Sequence, residues 1–518
     1  MIDDHVYDVA IVGFGPSGVV AAALLGQAGL NVYVCDRLTG VYEIPRAMAI
    51  DHEIMRVFQQ IGVAEAVTPF TEPFTNSEYY GVDGQVIRRM TMMAPPYPQG
   101  YTPSIVFTQP EVERVLRRRV EQLSTVKVDL GVELRSIEQD SQEVSFVVET
   151  GDGVKKRVRS RYAIACDGGA STVRTQLGMP LEDLNFDEPW LVVDVLANER
   201  GMAKLPAVSV QYCEPERPCT LVIGPKNHRR FEISLKPGED PQQVAQHTET
   251  WKLLSRWLAP EDGQLWRQAS YRFHALVAAE WRKGRVFLAG DAAHMQPPFL
   301  GQGMCQGVRD VTNVAWKLTS VLQGRVTGGA AETLLDSYGV ERKAHVRELT
   351  SRIKSIGALI CERDMEKARE RDAALLAQHD GDVKDTPRQD VLPRLETGLL
   401  SSRDERGRGE LFPQPALQIG VERKLMDQVV GNGWRLVVPT RDIVSIEAES
   451  VLDEVRIVSL DEMREVNGVA TGWLARHDCV AALVRPDNYV YGVAHSQADV
   501  DPLLEEAAAA LGYGEVQV

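Results

Sequence analysis

Apolar positions along this chain change period in an ordered way, and the changes predict its elements. Tyr7–Val12 is a short β-rich run, residues 16–28 are rich in Ala and Leu at helical spacing, and Asn31–Cys35 is strand-like again. That order predicts a βαβ unit at the N-terminus. A second apolar run, "RYAIAC" (161–166), stops at Asp167-Gly168 and leads into a helical stretch carrying Ser171 and Arg174. A third, "RVFLAG" (285–290), stops at Asp291. It precedes a helix over roughly 304–323 with an apolar stripe at 308, 311, 314, 315 and 318.

Between these runs the pattern turns to alternation. "WLVVDVLA", "AVSVQYC", "CTLVIG" and "RRFEISL", within 190–236, predict an antiparallel sheet, and "YRFHALVA" (271–278) returns the chain to the first unit. Residues 362–392 are densely charged and predict an exposed helix plus linker. Further on, "WRLVV" (434–438), "VRIVSL" (455–460), "HDCVAALVRPDNYVYGVA" (477–494) and a final Ala-rich helix suggest a separate unit of alternating strands and helices.

The ends of the strands carry the candidate chemistry. Gly13, Gly15 and Gly18 fit GxGxxG between the first strand and its helix. Gly13 allows the tight turn, Gly15 lets backbone approach a pyrophosphate, and Gly18 lets the helix pack on the strand. The helix N-terminus offers N–H groups to phosphate. Asp36, eighteen residues beyond Gly18, is placed to accept hydrogen bonds from ribose hydroxyls, and an acid there disfavours a 2′-phosphate. The motif by itself does not separate NAD from FAD. Asp167 reads equally as a ligand-facing carboxylate at a strand's carboxyl end or as an ordinary helix cap. Asp291 also ends a strand. Pro297-Pro298 stiffen the following loop, and Gly301 and Gly303 leave backbone amides accessible.

Composition narrows the class. The chain has 518 residues and a formal net charge of −16, which argues against nucleic acid or an anionic membrane as partner. Seven Cys show neither CxxC nor zinc-ligand spacing, which suggests reduced thiols and no metal site. The acidic N-terminus is unlike a signal peptide, and no apolar run approaches the roughly 18 residues that span a bilayer. The expectation is a cytoplasmic protein with no membrane partner.

Taken together, GxGxxG at 13–18, "CDGGASTVR" at 166–174 and "GDAAH…PPFLGQGMCQGVRD…N…AWKL" at 290–318 resemble the single-component flavoprotein aromatic hydroxylases. "PRAMAIDHEIMRVFQQIG" (45–62) and "FTQPEVERVL" (107–116) match family segments in type and order. The resemblance implies an α/β fold: a Rossmann-like FAD-binding domain (1–75, 105–182 and 271–360) and an antiparallel β-sheet substrate domain (76–104 and 183–270). A helical linker (361–394) and a thioredoxin-like C-terminal domain (395–518) would follow. With only Cys479 and no CxxC, that last domain should do no dithiol chemistry; its work would be structural, perhaps in homodimer contacts.

The resemblance also implies roles. Gly13, Gly15, Pro16 and Ser17, with Gly18 closing the motif, would surround the FAD pyrophosphate. Asp36 would hold the adenosine ribose with Arg37 beside the adenine, which the backbone of Leu134 would also meet. Arg46 would reach the phosphate or ribityl region and Gln109 the ribityl side. Asp291, after Gly290, would bind a ribityl hydroxyl, and Pro298, Gly301, Gly303 and Met304 would line the isoalloxazine. Asp167 belongs to a motif associated with both FAD and NAD(P)H. Cys305 departs from the family's usual Asn, which bears on loop support or is simple packing.

The implied reaction is hydroxylation of a phenolic ring, a phenylpropionate-like acid first, by NADH or NADPH and oxygen through a flavin hydroperoxide. A heteroaromatic or polyketide-like ring is the alternative substrate, and a flavin-binding sequestration or sensor protein the non-enzymatic alternative. A flavin halogenase would carry WxWxIP, which is absent. Tyr212, Tyr271, His274 and Phe299 are candidate pocket residues, each also readable as packing. His294 reads as loop support, and Arg229 and Arg230 as a carboxylate clamp or a solvated pair. No constellation names a catalytic base.

Overall fold

The computed structural model describes residues 2–403, 405–445 and 455–513. Its first sheet is built on Ile2–Val12, which pairs in parallel with Val32–Asp36 on one side and with Lys155–Ala165 on the other. Val126–Leu130 and Val286–Leu288 extend the parallel run at its two ends. The consecutive residues Val9, Ala10 and Ile11 are all buried, so both faces of the sheet are covered. Helices Pro16–Gln27, Gln109–Glu121 and Gly303–Leu322 pack together over it. The chain leaves Ile2–Val12 toward one neighbour and later returns on the other side. The carboxyl ends of Ile2–Val12 and Lys155–Ala165 therefore flank a switch point, where open α/β sheets bind ligands.

A nine-stranded sheet forms the second layer, centred on the long strands Leu181–Ala197 and Gly263–Ala278. His228–Ser234, Cys219–Ile223 and Ser209–Tyr212 follow in antiparallel order, as the alternation predicts. Two pairings are parallel instead: Ser209–Tyr212 with Ser77–Tyr80, and Val86–Thr91 with Lys384–Pro387. The period-2 pattern sorts the side chains. Val210, Leu221, Phe231 and Ile233 bury against Trp251 and Leu254 of helix His247–Leu254. Gln211, Thr220, Arg230 and Glu232 face a cavity shared with the first unit.

The charged segment departs from its expectation in part. Met365–Ala377 is a helix, largely exposed. Lys384–Pro387, however, is the sheet's last strand, and Arg388 after it is buried. Residues 384–388 thus belong to the sheet rather than to a solvated connection. Their partner strand lies nearly three hundred residues earlier, so no local pattern reveals the pairing.

At the C-terminus, Arg435–Val438 pairs in parallel with Arg456–Ser459 and antiparallel with Ala481–Val484, which pairs with Val490–Ala494. Leu436 and Val438 pack on one side with helix Val500–Ala510, and Val437 packs on the other with helix Val469–Arg476. A four-stranded mixed sheet with helices on both faces is the thioredoxin-like arrangement expected. Among the described residues no helix is long and apolar enough to cross a membrane.

Candidate active site

The glycine loop behaves as its spacing requires. A Cβ on Gly18 would sit 1.9 Å from the Gly13 carbonyl oxygen, and one on Gly13 (φ +99°) would sit 2.3 Å from that of Cys166. These two glycines let helix, strand and neighbouring strand close on one another. Gly15, Gly168 and Gly303 are different, since a Cβ on each would meet nothing within 4 Å. Gly15, Gly168 and Gly303 all line the cavity.

Asp36 is fastened beside this loop. Its Oδ2 accepts the Phe14 N–H at 2.6 Å and its Oδ1 the Leu38 N–H at 2.7 Å, leaving lone pairs for a ribose. Gly131 donates to the Leu38 carbonyl at 3.1 Å, which brings the strand bearing Leu134 alongside. Leu134 itself is buried and Arg37 is exposed. Gln109 Oε1 accepts the N–H groups of Arg46 (2.8 Å) and Ala47 (2.7 Å), pinning that segment over the cavity. Arg46 Nη2 lies 3.3 Å from Asp291 Oδ2, with both side chains half-exposed. Asp167 Oδ2 accepts the Val173 N–H at 3.1 Å, and burial pushes its carboxyl up. Ser171, not Asp167, caps the short helix Thr172–Gln176, and Asp167 braces that turn from the loop before it.

These residues fit FAD. A helix N-terminus follows the glycine loop, the Asp36 carboxylate is bonded to that loop with lone pairs to spare, and three cavity glycines leave room that a Cβ would take. Gly13, Gly15, Pro16, Ser17, Gly18, Asp36, Arg46, Gln109 and Asp291 could hold it, with Pro298 to Met304 against its ring.

The cavity measures about 370 Å³. One wall is Gly15–Ser17, Pro298, Phe299, Gly301, Gly303 and Met304. The facing wall is the sheet. Phe273 stacks on Trp190 at 5.8 Å and meets Phe299 edge-on at 6.4 Å, giving an aromatic side. The polar side centres on Asp194, which accepts Arg230 Nε at 2.7 Å and Nη2 at 3.0 Å, and pairs with His228 Nε2 at 2.7 Å. Burial alone would raise the Asp194 carboxyl, but Arg230 and His228 overcome it and hold it at about 2. Arg230 also donates to the carbonyls of Arg46 (2.7 Å) and Pro45 (3.0 Å), and Arg267 donates to Pro45 and to the Tyr271 hydroxyl.

Arg229 and Arg230 therefore form neither a solvated pair nor a joint clamp. Arg230 braces the 45–46 segment, while Arg229, on the opposite sheet face, donates to the carbonyls of Gly224, Lys226 and His228. Tyr271 and Phe299 do line the cavity. Tyr212 does not: the register turns it to the outer face, where it accepts the Trp257 indole N–H at 3.1 Å. His274 stands half-exposed beside Asp187 on the lower part of the long strand, away from the cavity. Cys305 is fully buried with its thiol 3.8 Å from the Ala49 carbonyl, which is packing.

Several cavity residues escaped the sequence reading, Glu232 and Arg388 among them. Glu232 is buried on the inner face, and burial pushes its carboxyl up against the opposing pull of Arg230. Its spacing from Arg230 in "RRFEISL" puts both on one face, but only the fold says which face. Arg388 donates to the Leu300 carbonyl at 2.6 Å, lies 4.4 Å over the Phe74 ring and has no carboxylate partner among the described residues. Its position after the last sheet strand left no local signal.

Similarity to known proteins agrees with this site. Residues 6–353 match the family described as FAD binding domain, and residues 409–510 match the HcaD C-terminal domain. The chain is 37% identical over 519 residues to a probable NADH-specific resorcinol 4-hydroxylase of Rhodococcus jostii (strain RHA1), covering 97% of this chain and 95% of the relative. It is 30% identical over 524 residues to a 3-(3-hydroxy-phenyl)propionate/3-hydroxycinnamic acid hydroxylase of Escherichia coli O157:H7 (strain EC4115 / EHEC), covering 95% and 93%. In fold it is similar to the flavin-dependent monooxygenase PieE, solved with FAD and substrate, at a TM-score of 0.77 and 23% identity over 98% of this chain and all of that one. With the FAD binding domain spanning two thirds of its length and full-length hydroxylase relatives, the chain belongs to the FAD-dependent aromatic hydroxylases.

Proposed function

We propose that this enzyme hydroxylates a small phenol of the resorcinol type, with NADH as reductant and O₂ as the oxygen source. The observation that carries the reading is the cavity itself, with flavin loops on one wall and an aromatic and polar sheet on the other. The relative named for NADH and resorcinol supports both choices. One ring hydrogen is replaced by hydroxyl, O₂ supplies that oxygen and one water, and NADH supplies two electrons. FAD, when bound, supplies the transfer of those electrons to O₂ and the activation of one oxygen atom.

The chain's own residues do the rest. Phe74, Phe273 and Phe299 give the ring an apolar bed that excludes water. Asp194, Arg230 and Arg267 fix the 45–46 segment over it, so the substrate is held at one depth and orientation. Gly301, Gly303 and Met304 expose backbone at the start of helix Gly303–Leu322, whose dipole favours negative charge on the reduced cofactor.

Arg388 favours a second reading, a phenol bearing a carboxylate, because it is a buried cavity cation without an anionic partner among the described residues. Both readings are tested with the purified yellow holoenzyme by following NADH and NADPH oxidation with resorcinol, phenol, 3-(3-hydroxyphenyl)propionate and a hydroxylated heterocycle. Peroxide and product are measured together. Stimulation by one phenol with product matching NADH supports the proposal; oxidation that yields only peroxide with every phenol refutes it.

A further inference from the structure

Resting on the phenol-hydroxylase reading, we infer that Glu232 is a catalytic residue that accepts the hydroxyl proton of the substrate. The sheet places two transverse rows of side chains over the cavity. Val192, Glu232, Thr220 and Gln211 form one; Arg230 and Val222 form the next, with the buried Asp194 paired to Arg230 outside the lining. Glu232 is 6% exposed, with Val192 paired opposite it on one side and Thr220 on the other.

None of the neighbouring donors bonds to Glu232 among the described residues. Thr220 gives its only hydroxyl proton to Gln211 Oε1 at 2.5 Å. Arg230 spends its donors on Asp194, Arg46 and Pro45. Arg267 donates to Pro45 and Tyr271 and to neither oxygen of Glu232. Glu232 accepts no hydrogen bond among the described residues, though a buried carboxylate demands donors. Glu232 lines the cavity, and a phenolic hydroxyl lying on the aromatic bed supplies a donor there.

The proton transfer balances simply. The substrate O–H bond breaks, its proton goes to a Glu232 carboxylate oxygen, and its electron pair moves into the ring. The carbon ortho or para to that oxygen becomes the nucleophile that takes the oxygen atom. That carbon then loses its own hydrogen as a proton, which restores aromaticity. Burial keeps the Glu232 carboxyl above the ordinary glutamate range, closer to the acidity of its task, while Arg230 and Arg267 oppose and Asp194 adds to that rise. Around the cavity Arg46, Asp291, Tyr271, Cys166 and Arg388 are the other ionisable groups facing it.

The test uses Glu232→Gln and Glu232→Asp holoenzymes with resorcinol as probe. Gln keeps the volume but cannot take a proton. The expected result is FAD content as in wild type and a fall in kcat of about a hundredfold or more, with partial recovery in Asp. The acidic limb of the wild-type pH–rate profile, from protonation of Glu232, is lost in Gln. A second measurement needs no variant. Resorcinol affinity of the oxidised wild-type holoenzyme, read from flavin absorbance, should weaken about tenfold as pH falls through the Glu232 range. The affinity for 1,3-dimethoxybenzene, which has no proton to give, should stay flat.

Wild-type turnover with Glu232→Gln unimpaired, or two probes with the same pH response, overturns the assignment and leaves the hydroxylase reading standing. A wild-type enzyme that hydroxylates no phenol overturns both.

Discussion

Asp310 accepts a hydrogen bond from His294 Nε2 at 2.8 Å, so the end of the "GDAAH" motif is tied to the long helix that follows it. The same carboxylate oxygen accepts the Gly290 N–H at 3.0 Å, and its other oxygen accepts Arg342 Nε at 2.9 Å. One buried acid thus fixes the turn that presents Asp291 to the cavity. His294 supports the loop, as its place in the sequence suggested.

Asp310→Ala should cost about 3–5 kcal/mol, because it leaves Arg342 buried without its counter-charge. Denaturant unfolding measures this, and FAD content should fall in parallel as Gly290 loses its anchor. An unchanged midpoint would show that the network is idle.

Gly15 and Gly18 should separate binding from folding. Gly15 sits at φ −75° with open space beside it, so Gly15→Ala should keep stability within about 0.5 kcal/mol while weakening FAD binding. Gly18→Ala drives a Cβ into the Gly13 carbonyl and should destabilise the fold itself. Thermal melts of apoprotein and FAD titration distinguish the two; equal effects on both would contradict the geometry.

Glu341 joins the C-terminal unit to helix Gly328–Ile360 by accepting Arg485 Nη2 at 2.7 Å and lying 2.9 Å from Lys317 Nζ. Burial would raise its carboxyl, but Arg485 and Lys317 overcome that and hold it at about 2. Because the folded value lies below the unfolded one, its stabilisation is complete above the ordinary glutamate range. It is lost as pH falls from there toward about 2. Wild type should lose Tm over that window, and Glu341→Gln should start lower and lose less. Parallel curves would refute the linkage.

Arg388→Met should discriminate the substrate readings. Removing the one cavity cation without an anionic partner among the described residues should weaken 3-(3-hydroxyphenyl)propionate binding about tenfold, through loss of a charge-assisted contact. Resorcinol binding should change little. Titrations of the oxidised holoenzyme followed by flavin absorbance give both numbers, and an equal loss for the two would assign Arg388 to the architecture alone.

The cofactor end was legible because its chemistry is local. Gly13, Gly18 and Asp36 act within a few residues of a strand end, and the contacts that demand them run through the same βαβ unit. The substrate side was not. Tyr212 and Gln211 are neighbours in one strand and point to opposite faces, so choosing the pocket residue needs the identity of the buried face. His274 lies on the same long strand as Tyr271, yet only Tyr271 reaches the cavity.

The sequence by itself determined the element order, the flavin loops and the family, since periodicity and short motifs are properties of neighbouring residues. The tertiary structure alone decided which side chains line the cavity. It buried Glu232 with no hydrogen bond to it among the described residues and drew Arg388 from a charged segment to the cavity, since strand pairing across long separations sets which side chains share a face.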